Sequence, residues 1–485
     1  MSQAVPHATN PAVTAPAPDF RTIALIVASA MFMEQLDATV LTTALPTMAR
    51  DFGVTAPSMS VALTSYLLSL AVFIPASGKV ADRFGAKTVF RSAIVVFTLG
   101  SVLCGLAQSL PMLVAARAFQ GLGGALMMPV GRLVLLRSVE RRNMVSAMSW
   151  LLVPAMIGPI IGPPVGGFLV TYLDWRWIFY INVPIGCLGF VLVTMFITET
   201  APTTGHPFDF SGMVLSGVGL GCLFFGFEMM SHAGERALAL GLLSVGAVFA
   251  TIYVRHARRT PDPILDLSLM RLPSFGISVW GGSLTRVTQG AQPFLLPLMF
   301  QLGFGMTAAQ SGSIVLATAI GSLAMKAFAP RLLRRYGFRR SLIVNGVVAS
   351  CGYALCALFR PGLPPAAIFA VLVGCGFFMS FQFTAYNTVA YDEIPHDRMS
   401  AATSFYTTFQ QLMLSVGICV AAVALQGSMV LRGHGSVQLA DFSTAFLIVT
   451  GISLLATIPN LRFSADAGTE ISGHRMIAPR PNPAA

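Results

Sequence analysis

The chain's 485 residues are 55% hydrophobic and only 10% charged, whereas soluble domains carry about 25% charge; an ordinary soluble protein is excluded. The net charge of +11 does not call for nucleic acid, because the cytoplasmic loops of membrane proteins collect Lys and Arg. Composition therefore points to an all-α polytopic membrane protein, with 45 glycines and 30 prolines suited to helices that pack through small residues.

Residues 1–20 form a Pro/Ala/Thr-rich stretch without a basic n-region or cleavage motif, expected to be a disordered cytoplasmic tail. Apolar spans follow near 22–45, 58–78, 89–107, 111–136, 144–171, 177–197, 211–230, 237–254, 274–300, 307–329, 340–359, 364–390, 401–426 and 443–460, each long enough to cross a bilayer. With the N-terminus placed inside, twenty-one basic residues fall in inside segments and five in outside turns. That asymmetry supports fourteen spans with both termini cytoplasmic.

The aromatic turn Tyr172–Tyr180 reads as an interfacial belt. The linker segment Pro263–Met270 reads as a short helix lying on the membrane surface. The seven cysteines all fall in apolar spans and read as packing residues without a disulfide framework.

Two inside turns repeat. Gly78–Lys87 joins spans two and three, and Pro330–Arg339 joins spans ten and eleven. Aligning Gly85 with Gly337 sets Asp82 opposite Arg334 and Arg83 opposite Arg335. The expected division is a six-helix bundle over 21–198, two inserted helices over 199–256, a cytoplasmic linker over 257–273, a second six-helix bundle over 274–461, and a cytoplasmic tail over 462–485.

Ionisable residues inside the spans mark candidate function. A carboxylate at the middle of a membrane helix costs roughly 2.5–3.5 kcal/mol on insertion scales unless protonated or paired. Asp37 stands in the first span, with Glu34 one turn earlier on the same face. Arg117, in the fourth span, lies about six residues, or ~9 Å, below the outer edge, close to the depth of Asp37. The two either pair or share one hydrated cavity. Gln120, Gly121 and Gly124 share the face of Arg117.

In the fifth span Gly158, Gly162 and Gly166 recur every four residues beside Gly167, Pro159, Pro163 and Pro164. The small stripe permits close helix approach, and the prolines are expected to bend the helix. In the inside loop, Gly78 and Gly85 fit a tight turn, with Asp82 capping or facing a neighbouring helix N-terminus. Glu228, Arg286 and Lys326 lie within later spans. Gln120, Gln382, Asn387, Gln410 and Gln411 either line a polar cavity or bond between helices. No phosphate-binding loop, zinc-protease motif or catalytic triad stands out, so no enzyme activity is indicated.

Together these residues resemble the signature set of the major facilitator superfamily, in particular its fourteen-helix drug:proton antiporters of the EmrB/QacA type. Leu36–Pro46 is similar to that family's first-helix motif, Gly78–Lys87 to its loop motif A, Arg117–Ala125 to motif B, and Gly158–Gly167 to antiporter motif C. Trp175–Gly186, Met128–Arg132, His256–Pro261 and Gln382–Asn387 have the look of the bacterial HsrA/MdtD-like branch.

The resemblance covers residues 20–460. It implies two six-helix bundles plus two inserted helices, with no cofactor beyond a proton gradient, in a bacterial cytoplasmic (inner) membrane. Asp37 would be the protonation site and Arg117 its coupling partner, while Gly78, Asp82, Arg83 and Gly85 would form a cytoplasmic latch. Gly158, Pro159, Gly162, Gly166 and Gly167 would form the gating element. The expected partners are lipid, protons and a small amphipathic or toxic compound, handled by a monomer, with room for an accessory efflux partner. Two positions depart from the pattern: Ala86 replaces a usual basic residue, and Glu34 a usual neutral one. A proton-coupled symporter or uniporter for a nutrient or metabolite, and a non-transporting membrane sensor on the same fold, are the alternatives.

Overall fold

Residues 19–139, 144–198, 208–229, 236–261, 263–395, 398–433 and 435–469 are described by the structure, a computed structural model. Every element among them is helical: α1 (Phe20–Phe52), α2 (Ser60–Phe73), α3 (Ser77–Phe84), α4 (Ala86–Gly105), α5 (Leu110–Ser138), α6 (Met144–Tyr172), α7 (Trp177–Tyr180), α8 (Asn182–Phe196), α9 (Phe210–Met229), α10 (Arg236–Ala257), α11 (Pro273–Leu298), α12 (Ala308–Tyr336), α13 (Phe338–Cys356), α14 (Pro365–Val389), α15 (Met399–Arg432), α16 (Leu439–Leu455) and α17 (Thr457–Asn460). The pairs α2/α3, α7/α8 and α16/α17 each run on as one rod. Fourteen long helical segments result, one at each expected span. Eleven of the described segments are long and apolar enough to cross a membrane. Among the others, α11 carries Thr285, Arg286, Gln289 and Gln292, and α13 opens on Arg339 and Arg340.

The helices begin and end where local chemistry dictates. Thr307 and Gln310 close a capping box on α12, satisfying backbone N–H groups that the first turn leaves unpaired. Gly85 (φ 85°) and Gly337 (φ 69°) separate α3 from α4 and α12 from α13. These equivalent turns of the internal repeat both require a left-handed residue, and only glycine adopts it without strain. Gly78 does not share that role: it lies inside α3. Ala86, buried at the start of α4, leaves no room there for a basic side chain.

The helices α1, α2, α4, α5, α6 and α8 pack on one another, as do α11 to α16. The inserted pair α9/α10 packs against α2 and α15, with Leu68, Phe224 and Cys419 in one small cluster. At the end of the molecule distal to the termini, one apolar cluster runs across both sets. Leu36 to Ala49, Trp175 and Phe179 meet Phe294 to Phe300, Phe359 and Phe446 there. Toward the termini, the apolar packing divides into separate clusters, one around Val27 and Phe90 and two around Phe405 and Phe338. Polar contacts bridge the sets at the distal end only lightly: Gln301 donates to the Thr43 carbonyl at 3.0 Å and the Ala309 N–H to Thr171 Oγ1 at 3.0 Å.

Two expectations need correction. Trp175 is not part of an interfacial belt: it is buried, donates to Asp51 at 2.6 Å and stands edge-on to Phe52. Trp177 and Tyr172 remain exposed. The linker does not lie on a membrane surface as a helix. It forms a short 3-10 element, Leu267–Arg271, and buries Ile264, Leu265 and Leu269 against the protein, which removes their apolar surface from water. The seven cysteines carry no disulfide.

Candidate functional site

Asp37 and Arg117 are brought together as the helical arithmetic expects. Arg117 Nη1 lies 2.6 Å from Asp37 Oδ2, with both side chains 1% exposed. Of the two arrangements left open by the sequence, a direct pair is the one observed, and snorkelling of Arg117 to the surface is excluded. A buried ion pair needs its remaining lone pairs and protons satisfied to offset desolvation. Here Gln120 Nε2 (3.0 Å) and Asn182 Nδ2 (2.8 Å) both donate to Asp37 Oδ1. Arg117 also donates to Gln120 Oε1 at 2.7 Å and to the Ala62 carbonyl at 3.4 Å. Ser101 accepts from Gln120 and Asn182 and donates to the Phe179 carbonyl.

Aromatic faces close the site. The Arg117 guanidinium lies 4.5 Å from the Tyr66 ring centroid and 5.9 Å from that of Phe179, a stacking that suits a weakly hydrated planar cation. A Cβ on Gly124 would come within 2.6 Å of the Tyr66 hydroxyl, so the glycine on the Arg117 face makes room for the ring. Four residues of this site were not singled out from the sequence: Asn182, Ser101, Tyr66 and Phe179. Asn182 alone carried a signal, as an amide inside an apolar span.

Glu34 is buried beside this network but outside it. Its Oε2 has no hydrogen-bond partner among the described residues, and Asp37 and Arg132 are the described charges that bear on it. The glycine stripe of α6 faces α1: Gly158 meets Gln35 and Leu36, Gly162 meets Thr39, and Gly166 meets Val40 and Thr43. Gly167 and Pro163 turn the other way, onto Ala308 and Gly312 of α12. The α6 backbone continues as helix through Pro159, Pro163 and Pro164.

At the other end of the molecule, Asp82 accepts from Arg137 at 2.7 Å, so it ties α3 to the end of α5. Arg83 is exposed and stacks over Phe84.

The residues grouped as a possible cavity separate. Gln120 belongs to the Asp37 network. Arg286, Asn387 and Gln410 gather around Phe383: the Arg286 guanidinium sits 4.0 Å from that ring, Asn387 donates to the Phe383 carbonyl at 2.7 Å, and Gln410 donates to Asn387 at 2.7 Å. Gln382 instead bonds Asn345 within the second set of helices. Lys326 is exposed. The side chain of Glu228 lies outside the described residues.

Among the described residues no cluster of His, Cys, Asp and Glu has the form of a metal site, and what the site holds is a buried, hydrogen-bonded charge pair.

Known proteins give the same picture of the whole chain. Residues 27–418 match the Major Facilitator Superfamily. The chain is 34% identical over 447 residues to a protein of Escherichia coli O157:H7 named "Putative multidrug resistance protein MdtD", covering 90% of this chain and 94% of that one. It is 35% identical over 464 residues to the protein of the same name from Yersinia enterocolitica, covering 94% and 98%. Among solved structures it resembles the nucleoside transporter NupG, with a TM-score of 0.63 at 17% identity over 92% of this chain and 98% of that one. It also resembles an auto-inhibited POT family peptide transporter, with a TM-score of 0.64 at 13% identity over 96% and 99%. The chain is thus a multi-pass membrane transporter belonging to the major facilitator superfamily.

Proposed function

We propose that this transporter exports small amphipathic or toxic compounds from the bacterial cytoplasm in exchange for protons, by alternating access, with its termini cytoplasmic. The single observation that carries the proposal is the buried Asp37–Arg117 pair. The acid is held by one cation and two amides, and protonation removes the attraction that holds Arg117 against it. A proton arriving at Asp37 therefore frees the cation, and departure of the proton restores the pair. Such a change of charge in a low-dielectric site biases the packing of α1 against α5 and α6. Kinship with proteins named for multidrug resistance supports export of toxic compounds, and the excess of basic residues in alternate loops supports the orientation.

In this reading, residues 21–198 and 274–461 rock against each other around a central space, closed at the distal, outer end as described. The α6 glycine stripe is the gating surface. Asp82 and Arg83 secure the cytoplasmic side when it closes.

Asp37→Asn, assayed in everted vesicles, is expected to abolish pH-gradient-driven transport. It is expected to leave folded protein in the membrane, since Arg117 keeps acceptors on Gln120 and Ala62. Proton-coupled efflux at the wild-type rate by this variant would defeat the assignment.

A further inference from the structure

Two arginines are buried among the described residues, Arg117 and Arg286, and they are treated differently. Arg117 has a carboxylate. Arg286, only 6% exposed, has none among the described residues. Its Nη1 donates to Gln289 Oε1 at 3.0 Å on its own helix, its plane lies against Phe383, and its Nη2 has no hydrogen-bond partner among the described residues. An uncompensated buried cation with an unused donor is among the more costly features a fold can hold.

Its neighbours are of one kind. The Tyr406 hydroxyl lies against α11 at Gly282, one turn before Arg286, Gln410 and Asn387 present a bonded pair of amides, and Tyr391 stands 6.0 Å from Tyr406, ring to ring. Aromatic walls with a few convergent donors are the usual lining of a small-molecule site.

The internal repeat adds a second line. The offset of 252 residues that carries Gly85 onto Gly337 also carries Glu34 onto Arg286. The two sets of helices thus hold an acid and a base at equivalent positions of their first helices. Arg132, exposed within α5, bears on both Glu34 and Tyr391, and so places a further positive charge between the two sets. The described charges of this region are the guanidinium groups of Arg286, Arg132 and Arg117 and the carboxyl groups of Glu34 and Asp37, of which Arg117 and Asp37 are already paired with each other.

We infer that Arg286 anchors an anion subsite on the C-terminal wall, which takes the carboxylate of an aromatic organic acid. The free Nη2 and the guanidinium plane bind the carboxylate, and Phe383 and Tyr406 take the ring. The inference rests on the exporter reading for its location, and it names the class of compound carried.

The test is equilibrium binding to the purified full-length protein in detergent, where no proton gradient exists, so the result is independent of the Asp37→Asn transport assay. The probes are aromatic carboxylates of one to three rings, such as 1-naphthoate, each paired with its primary amide. Wild type is expected to bind at least one carboxylate about tenfold or more tightly than its amide, the scale of one charge-assisted hydrogen bond. Arg286→Gln is expected to lose that preference. Equal binding of every acid and amide by wild type, or an unchanged preference in Arg286→Gln, would overturn the inference. For a case in which Arg286→Gln does not fold, Arg286→Lys keeps the charge and loses the planar fork. A three- to tenfold weaker carboxylate supports the inference, and an unchanged affinity overturns it.

Discussion

At the scale of single residues, the molecule distinguishes a charge that is paid for from one that is left open. Asp37 and Arg117 are both buried and both satisfied, so breaking the pair from one side is worse than removing it whole. Arg117→Leu leaves Asp37 as a buried anion, or one that must capture a proton, and is expected to destabilise by about 3–5 kcal/mol. The double variant Asp37→Leu/Arg117→Leu is expected to recover more than half of that loss, as measured by thermal unfolding in detergent. Additive losses would mean that the two groups are energetically independent despite their 2.6 Å contact. The pair was legible in the sequence because helical rise converts position along a span into depth. Its amide partner Asn182, donating at 2.8 Å, was visible only as an amide in an apolar run, a weaker signal than a charge because a neutral amide carries a smaller insertion penalty. Nor does sequence show which helices are neighbours, which is why Ser101 and Tyr66, on α4 and α2, went unremarked.

At the scale of elements, the α6 stripe and the cap of α9 show what small residues and caps do for helix position. A Cβ on Gly166 would come within 2.5 Å of Val40 O and of Thr43 Oγ1, so α6 cannot sit where it does with a larger residue there. Gly166→Val is expected to lower stability by about 1–3 kcal/mol and to stop transport. Gly221→Ala, in α9 with nothing within 4 Å of the added carbon, serves as the control and is expected to stabilise by about 0.5–1 kcal/mol. The periodicity of the stripe was plain in the sequence; that Gly167 and Pro163 face the opposite set of helices was not, since a helix wheel does not say what lies on its second side.

The inserted pair is held at its base by Asp209, which receives N–H bonds from Gly212 and Ile264 and the His256 contact at 2.7 Å. Burial pushes the Asp209 carboxyl up, but these hydrogen bonds outweigh it and hold the group below the usual carboxylate range. A depressed folded value stabilises above the unfolded one, near 4, and the contribution is lost as pH falls through it. Asp209→Asn is therefore expected to lower the melting temperature at pH 7, with the gap to wild type narrowing as pH drops below about 4. A gap that is constant with pH would place the role of Asp209 in its shape and not its charge.

At the scale of the whole molecule, one apolar cluster joins both sets of helices at the distal end while the packing near the termini is divided, and the alternating-access proposal takes this as one stage of its cycle. The fourteen helices were readable from apolar length and the charge of the turns. The asymmetry between the two ends was not, because it arises from contacts between helices far apart in sequence, such as Thr171 with Ala309 and Thr43 with Gln301. The polar contacts at this end are few, and the rest of the junction is apolar side-chain packing, which a conformational change can separate and re-form. Covalent closure isolates the step. In a background with the native cysteines replaced, Thr171→Cys/Ala309→Cys brings two thiols to a place where a backbone N–H now meets a side-chain oxygen at 3.0 Å. Oxidation is expected to stop transport in everted vesicles and reduction to restore it, while probe binding in detergent continues in the cross-linked form, because the end near the termini is left free. Transport that persists at full rate through an intact cross-link would show that this end of the molecule does not open during the cycle.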